Sequence, residues 1–395
     1  MQRRTRLKSL SNVAAVVGVG ETDYGLDYQT ARSGGQGPDR YGLAARAFTQ
    51  ALQDSDLKKS DLDGLIVGPS LATERMGEIL GIDPRFSTQA DAVNAIIQAV
   101  LALQSGLAEC IALVYGTDQR KSATQYGGPQ AMGGDRFLAY VYYSPWGLTS
   151  QGALYAMTAT RFFAETGFTG DDLGRVAMGQ RAFATLNDNA IMRSPLGLDD
   201  YRRARFVCEP LRLFDYCLIN DGGVALILTT TERARRMSAP LVEVAAVAKK
   251  DLNRAATTLR SRLADFYHPA HREVAEDIYE IVGFGPESVD AVQIYDSFSI
   301  HVPIALEGFG FCAPGDAASL VRSGALAPGG RLPTNTSGGM LSESYMQGWN
   351  HQVEAVRQLR GQCGRRQVPN ARHVQYLSDV AGKVASIIYR RSTSQ

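Results

Sequence analysis

Glu287-Ser288-Val289-Asp290-Ala291-Val292-Gln293-Ile294-Tyr295 reads as a charged turn feeding a short apolar strand, and Ser60-Asp61-Leu62-Asp63-Gly64-Leu65-Ile66-Val67-Gly68 has the same character in the same order. What precedes each copy also matches. A strand over residues 12–20 and a helix over 41–52, with Leu43, Ala44, Ala47, Phe48 and Leu52 at helical spacing, come before the first copy. A strand over 241–247 and a helix over 272–282 come before the second. The chain therefore reads as a weak duplication of one α/β unit. A further helix over about 91–106 leads into an apolar strand at 110–115, and Asn220-Asp221-Gly222-Gly223-Val224-Ala225-Leu226-Ile227-Leu228 is another buried strand opening on glycines. Strands that are apolar throughout and alternate with helices imply sheets covered on both faces, so two α/β halves are expected to stack.

Between residue 117 and about 210 the pattern changes. Glycine and aromatic residues dominate, as in Tyr126-Gly127-Gly128-Pro129 and Tyr142-Tyr143-Ser144-Pro145-Trp146-Gly147, with helical spacing only over 154–166 and 173–186. An insertion of this length inside a compact half usually carries binding surface. The expected organisation is one half from 1–116 with 211–238, an insertion at 117–210, and a second half at 239–395.

Composition excludes several classes. The 395 residues are 45% hydrophobic and 21% charged, with 41 basic against 40 acidic residues and no polybasic stripe, which argues against nucleic acid as a partner. The five cysteines, Cys110, Cys208, Cys217, Cys312 and Cys363, show neither paired nor metal-ligand spacing. No disulfide framework or metal site is expected, and a cytoplasmic setting fits. Cys110, Cys208 and Cys217 read as small buried hydrophobes. The short apolar run after the basic N-terminus meets Glu21 and Asp23 and reads as a strand, and no stretch is long enough to span a membrane. Gly18-Val19-Gly20 starts like a dinucleotide fingerprint, but Asp23 stands where its third glycine belongs. His268 and His271, with Asp265 nearby, read as polar residues at a helix start rather than metal ligands.

Four segments occur in a telling order: Val16-Val17-Gly18-Val19-Gly20-Glu21-Thr22, Pro210 to Cys217 followed by Asn220-Asp221-Gly222-Gly223, Tyr295-Asp296-Ser297-Phe298-Ser299, and Asn335-Thr336-Ser337-Gly338-Gly339. Together they resemble the thiolase superfamily, specifically its sterol-carrier and lipid-transfer type, over nearly the whole chain. The resemblance implies an α/β thiolase fold, a duplicated five-layer αβαβα arrangement with the loop-rich insertion in the first half. It also implies a homodimer that binds CoA thioesters, with CoA entering as part of the substrate and no separate cofactor.

The chemistry that the resemblance implies has been replaced. Thiolases use a nucleophilic cysteine, two histidines and a second cysteine. Counting back from Ser105-Gly106 puts the nucleophile position at about Gln89, and the C-terminal position falls in Leu377-Ser378-Asp379-Val380-Ala381-Gly382, which holds no cysteine. The family's His-Asp-Cys-Phe loop reads Tyr295-Asp296-Ser297-Phe298, and its Gly-His-Pro loop reads Ser344-Tyr345-Met346. Thiolysis needs a thiolate that holds an acyl group. A retro-aldol reaction needs only removal of a β-hydroxyl proton and stabilisation of a thioester enolate, which phenols can assist. Tyr295 and Tyr345 are therefore the expected acid/base pair, with Tyr345 on the substrate hydroxyl and Tyr295 on the enolate, the roles being exchangeable. Asp296 and His351 are expected to support them, and backbone near Gly338 and Gly339 to form an oxyanion hole.

The double tyrosine pattern most resembles the aldolases of bacterial steroid degradation. That resemblance implies cleavage of a β-hydroxyacyl-CoA side chain into a ketosteroid and a short acyl-CoA, with a small partner protein built from an OB-fold and a zinc ribbon. Two other readings stay open: a thiolase with an unrecognised nucleophile, and a non-catalytic acyl-CoA or lipid-binding subunit.

Overall fold

The computed structural model describes residues 8–124, 142–148, 150–252, 254, 268–380 and 383–392. Tyr126 to Pro129, Asp265, Ala381 and Gly382 lie outside the described residues. Eleven strands are described: β1 (Ala14–Glu21), β2 (Gly64–Val67), β3 (Phe86–Gln89), β4 (Cys110–Asp118), β5 (Phe206–Cys208), β6 (Leu211–Arg212), β7 (Asp221–Thr230), β8 (Val242–Asp251), β9 (Ala291–Ile294), β10 (His373–Ser378) and β11 (Lys383–Arg391). Nine of them form one sheet in the order β3-β2-β4-β7-β1-β8-β11-β10-β9, and β5 and β6 form a separate hairpin.

The duplication expected from the sequence is written into this order. β2 runs parallel to β4, β4 antiparallel to β7, and β7 antiparallel to β1. β9 likewise runs parallel to β10, β10 antiparallel to β11, and β11 antiparallel to β8. The turn-and-strand segment ending at Val67 and the one ending at Tyr295 thus feed equivalent strands. The two halves join where β1 meets β8, at only two residue pairs, Ala15 with Glu243 and Val16 with Val242.

Strand side chains alternate between faces, and here both faces are apolar. Along β4, Ile111, Leu113 and Tyr115 enter one core while Cys110, Ala112 and Val114 enter another. The first core is central. It gathers Val93, Ile96 and Val100 from the helix Ala92–Ser105 and Val353, Val356 and Leu359 from the helix Trp349–Arg360, against Leu226 on one side and Val374 and Ile387 on the other. The second core packs the helix Arg40–Ser55 on the outer face of the first half through Ala44, Ala47, Phe48 and Ala51. A third places Val274, Ile278 and Ile281 of the helix His268–Val282 against Ala246, Val292 and Ile294 of the second half. Helix, sheet, helices, sheet, helix is the five-layer arrangement. Each fully buried Leu, Ile, Val or Phe in these cores contributes about 1.5–3 kcal/mol relative to exposure.

The glycines of β1 have a packing cause. A Cβ at Gly18 would lie 2.2 Å from the Ala51 carbonyl oxygen, so the outer helix reaches the sheet only because Gly18 has none. No helix among the described residues is long and apolar enough to cross a membrane.

Candidate active site

β9 ends at Ile294, and the Tyr295 N–H still donates to Leu377 O (2.8 Å), so the pairing with β10 fixes where the Tyr295 side chain leaves the sheet. Tyr345 follows the short helix Gly339–Ser342. Its backbone N–H donates to Asn220 Oδ1 (2.7 Å), while Asn220 Nδ2 donates to Ser344 Oγ (2.8 Å). Asn220 thereby clamps Ser344 and Tyr345 to the strand that opens at Asp221. The two phenol oxygens stand 3.3 Å apart, with Tyr295 7% and Tyr345 8% exposed. Met340 packs with both rings, and Cys217, Leu218 and Val380 border them. The sequence placed these tyrosines 50 residues apart, and the fold brings them within hydrogen-bonding distance.

Asp296 pins the two loops together. Its carboxylate accepts from the Met340 N–H (3.0 and 3.1 Å) and from His351 Nε2 (2.8 Å), and both side chains are 0% exposed. His351 is therefore linked to the tyrosine loops at one remove, through Asp296. Residues 217 and 218 add a second tie: Cys217 N–H donates to Ser297 O and Leu218 N–H to Met340 O, both at 3.0 Å. Within the Gly338-Gly339 turn, the Gly338 N–H is engaged by Asn335 O (2.9 Å), so the oxyanion role expected for Gly338 does not rest on its amide. Gly339 sits at φ +61°, and a Cβ there would lie 2.4 Å from Asp296 Oδ2.

Gln89 closes β3, and its side chain donates to Leu71 O (2.8 Å). Two residues later Asp91 caps the helix Ala92–Ser105, its carboxylate accepting from the Asn94 N–H (3.0 Å) and pairing with Lys383. Burial pushes the Cys110 and Cys312 thiols up to about 12 and raises those of Cys217 and Cys363. These four thiols are protonated at neutral pH. Burial, then the neighbouring Tyr345, holds the Tyr295 phenol well above its ordinary pKa.

His271 lies in the first turn of the helix His268–Val282, the helix-start position that the sequence suggested. It is fully buried, with Nε2 3.2 Å from Asp379 Oδ2. The other oxygen, Asp379 Oδ1, lies 2.5 Å from His301 Nδ1, and His301 Nε2 lies 3.2 Å from Ser297 Oγ. Sequence reasoning passed over this array because its members lie 78 and 108 positions apart, on different elements of the second half. No group of three potential metal ligands occurs among the described residues.

Behind Tyr345, the buried Glu343 carboxylate accepts from Asn187 Nδ2 (2.9 Å), Ser337 Oγ (2.6 Å) and Asn350 Nδ2 (2.8 Å). Burial, then the carboxylates of Glu21 and Glu354, pushes its pKa up from 4.5 to about 8. Between those values the folded protein holds a proton that the unfolded chain has released, so this group's effect on stability becomes less favourable as pH rises and levels off above about 8. Glu343→Gln is expected to flatten the fall in Tm across that window. A Gln variant with the wild-type slope would assign the slope to another group.

Residues 254–389 match the family model described as "Thiolase C-terminal domain-like". A steroid side-chain-cleaving aldolase of Thermomonospora curvata is 33% identical over 368 residues, covering 89% of this chain and 91% of that protein. A 17-hydroxy-3-oxo-4-pregnene-20-carboxyl-CoA lyase of Mycobacterium tuberculosis is 32% identical over 375 residues, covering 89% and 92%. The solved structure of an Ltp2-ChsH2(DUF35) aldolase superposes with a TM-score of 0.86 at 30% identity, covering 97% of this chain and 98% of its own. Identity of this order over nine-tenths of both chains, on a duplicated thiolase fold, leads to one assignment. The chain belongs to the thiolase superfamily, among its steroid side-chain-cleaving aldolase relatives, and is a thiolase-like carbon–carbon lyase.

Proposed function

We propose that the protein carries out retro-aldol cleavage of a β-hydroxyacyl-CoA whose β-carbon belongs to a steroid nucleus, releasing a ketosteroid and a short acyl-CoA. The observation that carries this reading is the buried pair of phenols 3.3 Å apart, at the two loop positions where the thiolase resemblance calls for histidines. The relatives' names, a steroid side-chain-cleaving aldolase and a pregnene-carboxyl-CoA lyase, support the substrate class. In this mechanism Tyr345 takes a hydrogen bond from the substrate hydroxyl as the Cα–Cβ bond breaks. Tyr295 then donates to the enolate, with the Gly339 turn beside it.

We further propose a homodimer, in which β3, one of the two edge strands of the described sheet, offers its open side to a second copy. A small OB-fold and zinc-ribbon protein is the proposed partner, a reading supported by the two-component name of the solved aldolase.

The test is release of ketosteroid and short acyl-CoA from such a thioester by the protein coexpressed with that partner. Binding without cleavage would leave the binding-subunit reading in place. N-ethylmaleimide is expected to leave cleavage unchanged, since burial keeps the Cys217 thiol beside the tyrosines protonated. Inactivation in step with modification of Cys217, measured by mass spectrometry, would instead restore a cysteine mechanism.

A further inference from the structure

A pair of phenols leaves one requirement of the retro-aldol reaction unmet. The proton of the substrate hydroxyl must be held while the carbon–carbon bond breaks, then delivered to carbon. Tyr295 is buried beside a second phenol and stays protonated at neutral pH, so it can offer a hydrogen bond to the enolate but has no phenolate with which to take up the substrate's proton. Two imidazoles lie behind it. His351 is committed through Nε2 to Asp296, the carboxylate that joins the two tyrosine loops.

His301 is placed differently. It opens the helix His301–Gly308, with its ring centroid 6.1 Å from that of Tyr295, edge to face. Nδ1 faces Asp379 Oδ1 at 2.5 Å and Nε2 faces Ser297 Oγ at 3.2 Å, on the loop that carries Tyr295. Carboxylate, imidazole and hydroxyl thus stand in a directional row. A proton on Nδ1, donated to Asp379, leaves Nε2 as the acceptor for the Ser297 hydroxyl. His301 is 1% and Ser297 4% exposed, so bulk water does not compete for the row.

We propose that His301, oriented by Asp379, is the proton reservoir of the cleavage reaction, and that Ser297 is the hydroxyl through which it exchanges protons with the tyrosine pair. This rests on the retro-aldol reading above. The hydroxyl proton passes toward Nε2 as the electrons of the Cα–Cβ bond move into the thioester enolate. The same proton returns as a C–H bond forms at Cα, and no other reactant is consumed. His301 and Ser297 act through the phenols and are positioning residues. The groups that face His301 are Asp379 and, beyond it, His271, then Tyr155 from the helix Gln151–Thr166 and Tyr295 from its own loop. The pH profile therefore belongs to this set rather than to one imidazole.

The experiment measures kcat and KM across about pH 6 to 9 for the coexpressed complex, with wild type, His301→Gln, Ser297→Ala and Asp379→Asn. His301→Gln is expected to lower kcat by about 10²–10³-fold while KM stays within about threefold, and its rate is expected to climb with pH where the wild type is flat. Ser297→Ala deletes one oxygen and is expected to act in the same direction. It also answers the question if His301→Gln does not fold. Asp379→Asn is expected to lower kcat by favouring the wrong imidazole tautomer. Wild-type kcat and an unchanged pH profile in His301→Gln or Ser297→Ala, while Tyr295→Phe is inactive, would overturn the relay and leave the tyrosine reading intact. Equal losses at every pH with a raised KM and a lowered Tm would overturn it as well, assigning the row to structure. A wild type that cleaves no β-hydroxyacyl-CoA would instead strike the function on which the relay depends.

Discussion

Tyr345→Phe is expected to lower kcat for β-hydroxyacyl-CoA cleavage by about 10²–10³-fold, with Tyr295→Phe close behind, while both variants still bind the CoA thioester. The substitution is narrow. Phenylalanine keeps the ring that packs against Met340 and removes only the oxygen 3.3 Å from its neighbour, so the fold is expected to change by less than about 1.5 kcal/mol. What disappears is the group proposed to meet the substrate hydroxyl or the enolate. Because the two phenols share one hydrogen bond, the double variant is expected to lose little more than the worse single one. Steady-state kinetics with calorimetric binding of a non-cleavable thioester separates the cases. If both Phe variants keep wild-type rates within about tenfold, the tyrosines are packing residues and the acid/base assignment fails.

The legible and illegible parts of the sequence divide on physical grounds. Strands covered on both faces are apolar throughout, so Val16 to Val19, Ile111 to Val114 and Val224 to Leu228 declare themselves without any partner in view. The repeated charged turn and strand at 60–68 and 287–295 likewise exposed the duplication, because each copy feeds an equivalent strand beside a parallel neighbour. β3 carried no such signal. Phe86 to Gln89 is an edge strand of four residues with half-exposed side chains, where neither apolar run nor strict alternation is needed. The helix Tyr24–Arg32 was equally silent, since it exposes Leu26 and buries Asp27. In the site, Tyr295 and Tyr345 were legible from the loops around them. The burial of Asp296 and His351, and the row from His271 through Asp379 to Ser297, depend on which elements the finished sheet brings together. No local pattern encodes that.

Gly339→Ala is expected to destabilise the fold by about 3 kcal/mol and to abolish cleavage, although Gly339 bears no side chain to do chemistry. Two costs add. The backbone sits at φ +61°, and the new Cβ would lie 2.4 Å from Asp296 Oδ2 and 3.0 Å from Asn335 Nδ2. Each holds the site: Asp296 joins the Met340 N–H to His351, while Asn335 brackets Ile294 with hydrogen bonds to its N–H (2.6 Å) and its carbonyl (3.0 Å). Displacing Asp296 uncouples the loop of Tyr295 from the turn that leads to Tyr345, and a shift of about 1 Å in a catalytic pair is enough to cost two orders of magnitude in rate. Combining Gly339→Ala with Asp296→Ala distinguishes the two costs. If the clash with the carboxylate dominates, Asp296→Ala relieves it and the double variant loses less stability than the sum of the singles. Strict additivity in denaturant unfolding would place the whole cost in the backbone, and Asp296 would no longer be the pin on which both tyrosines depend.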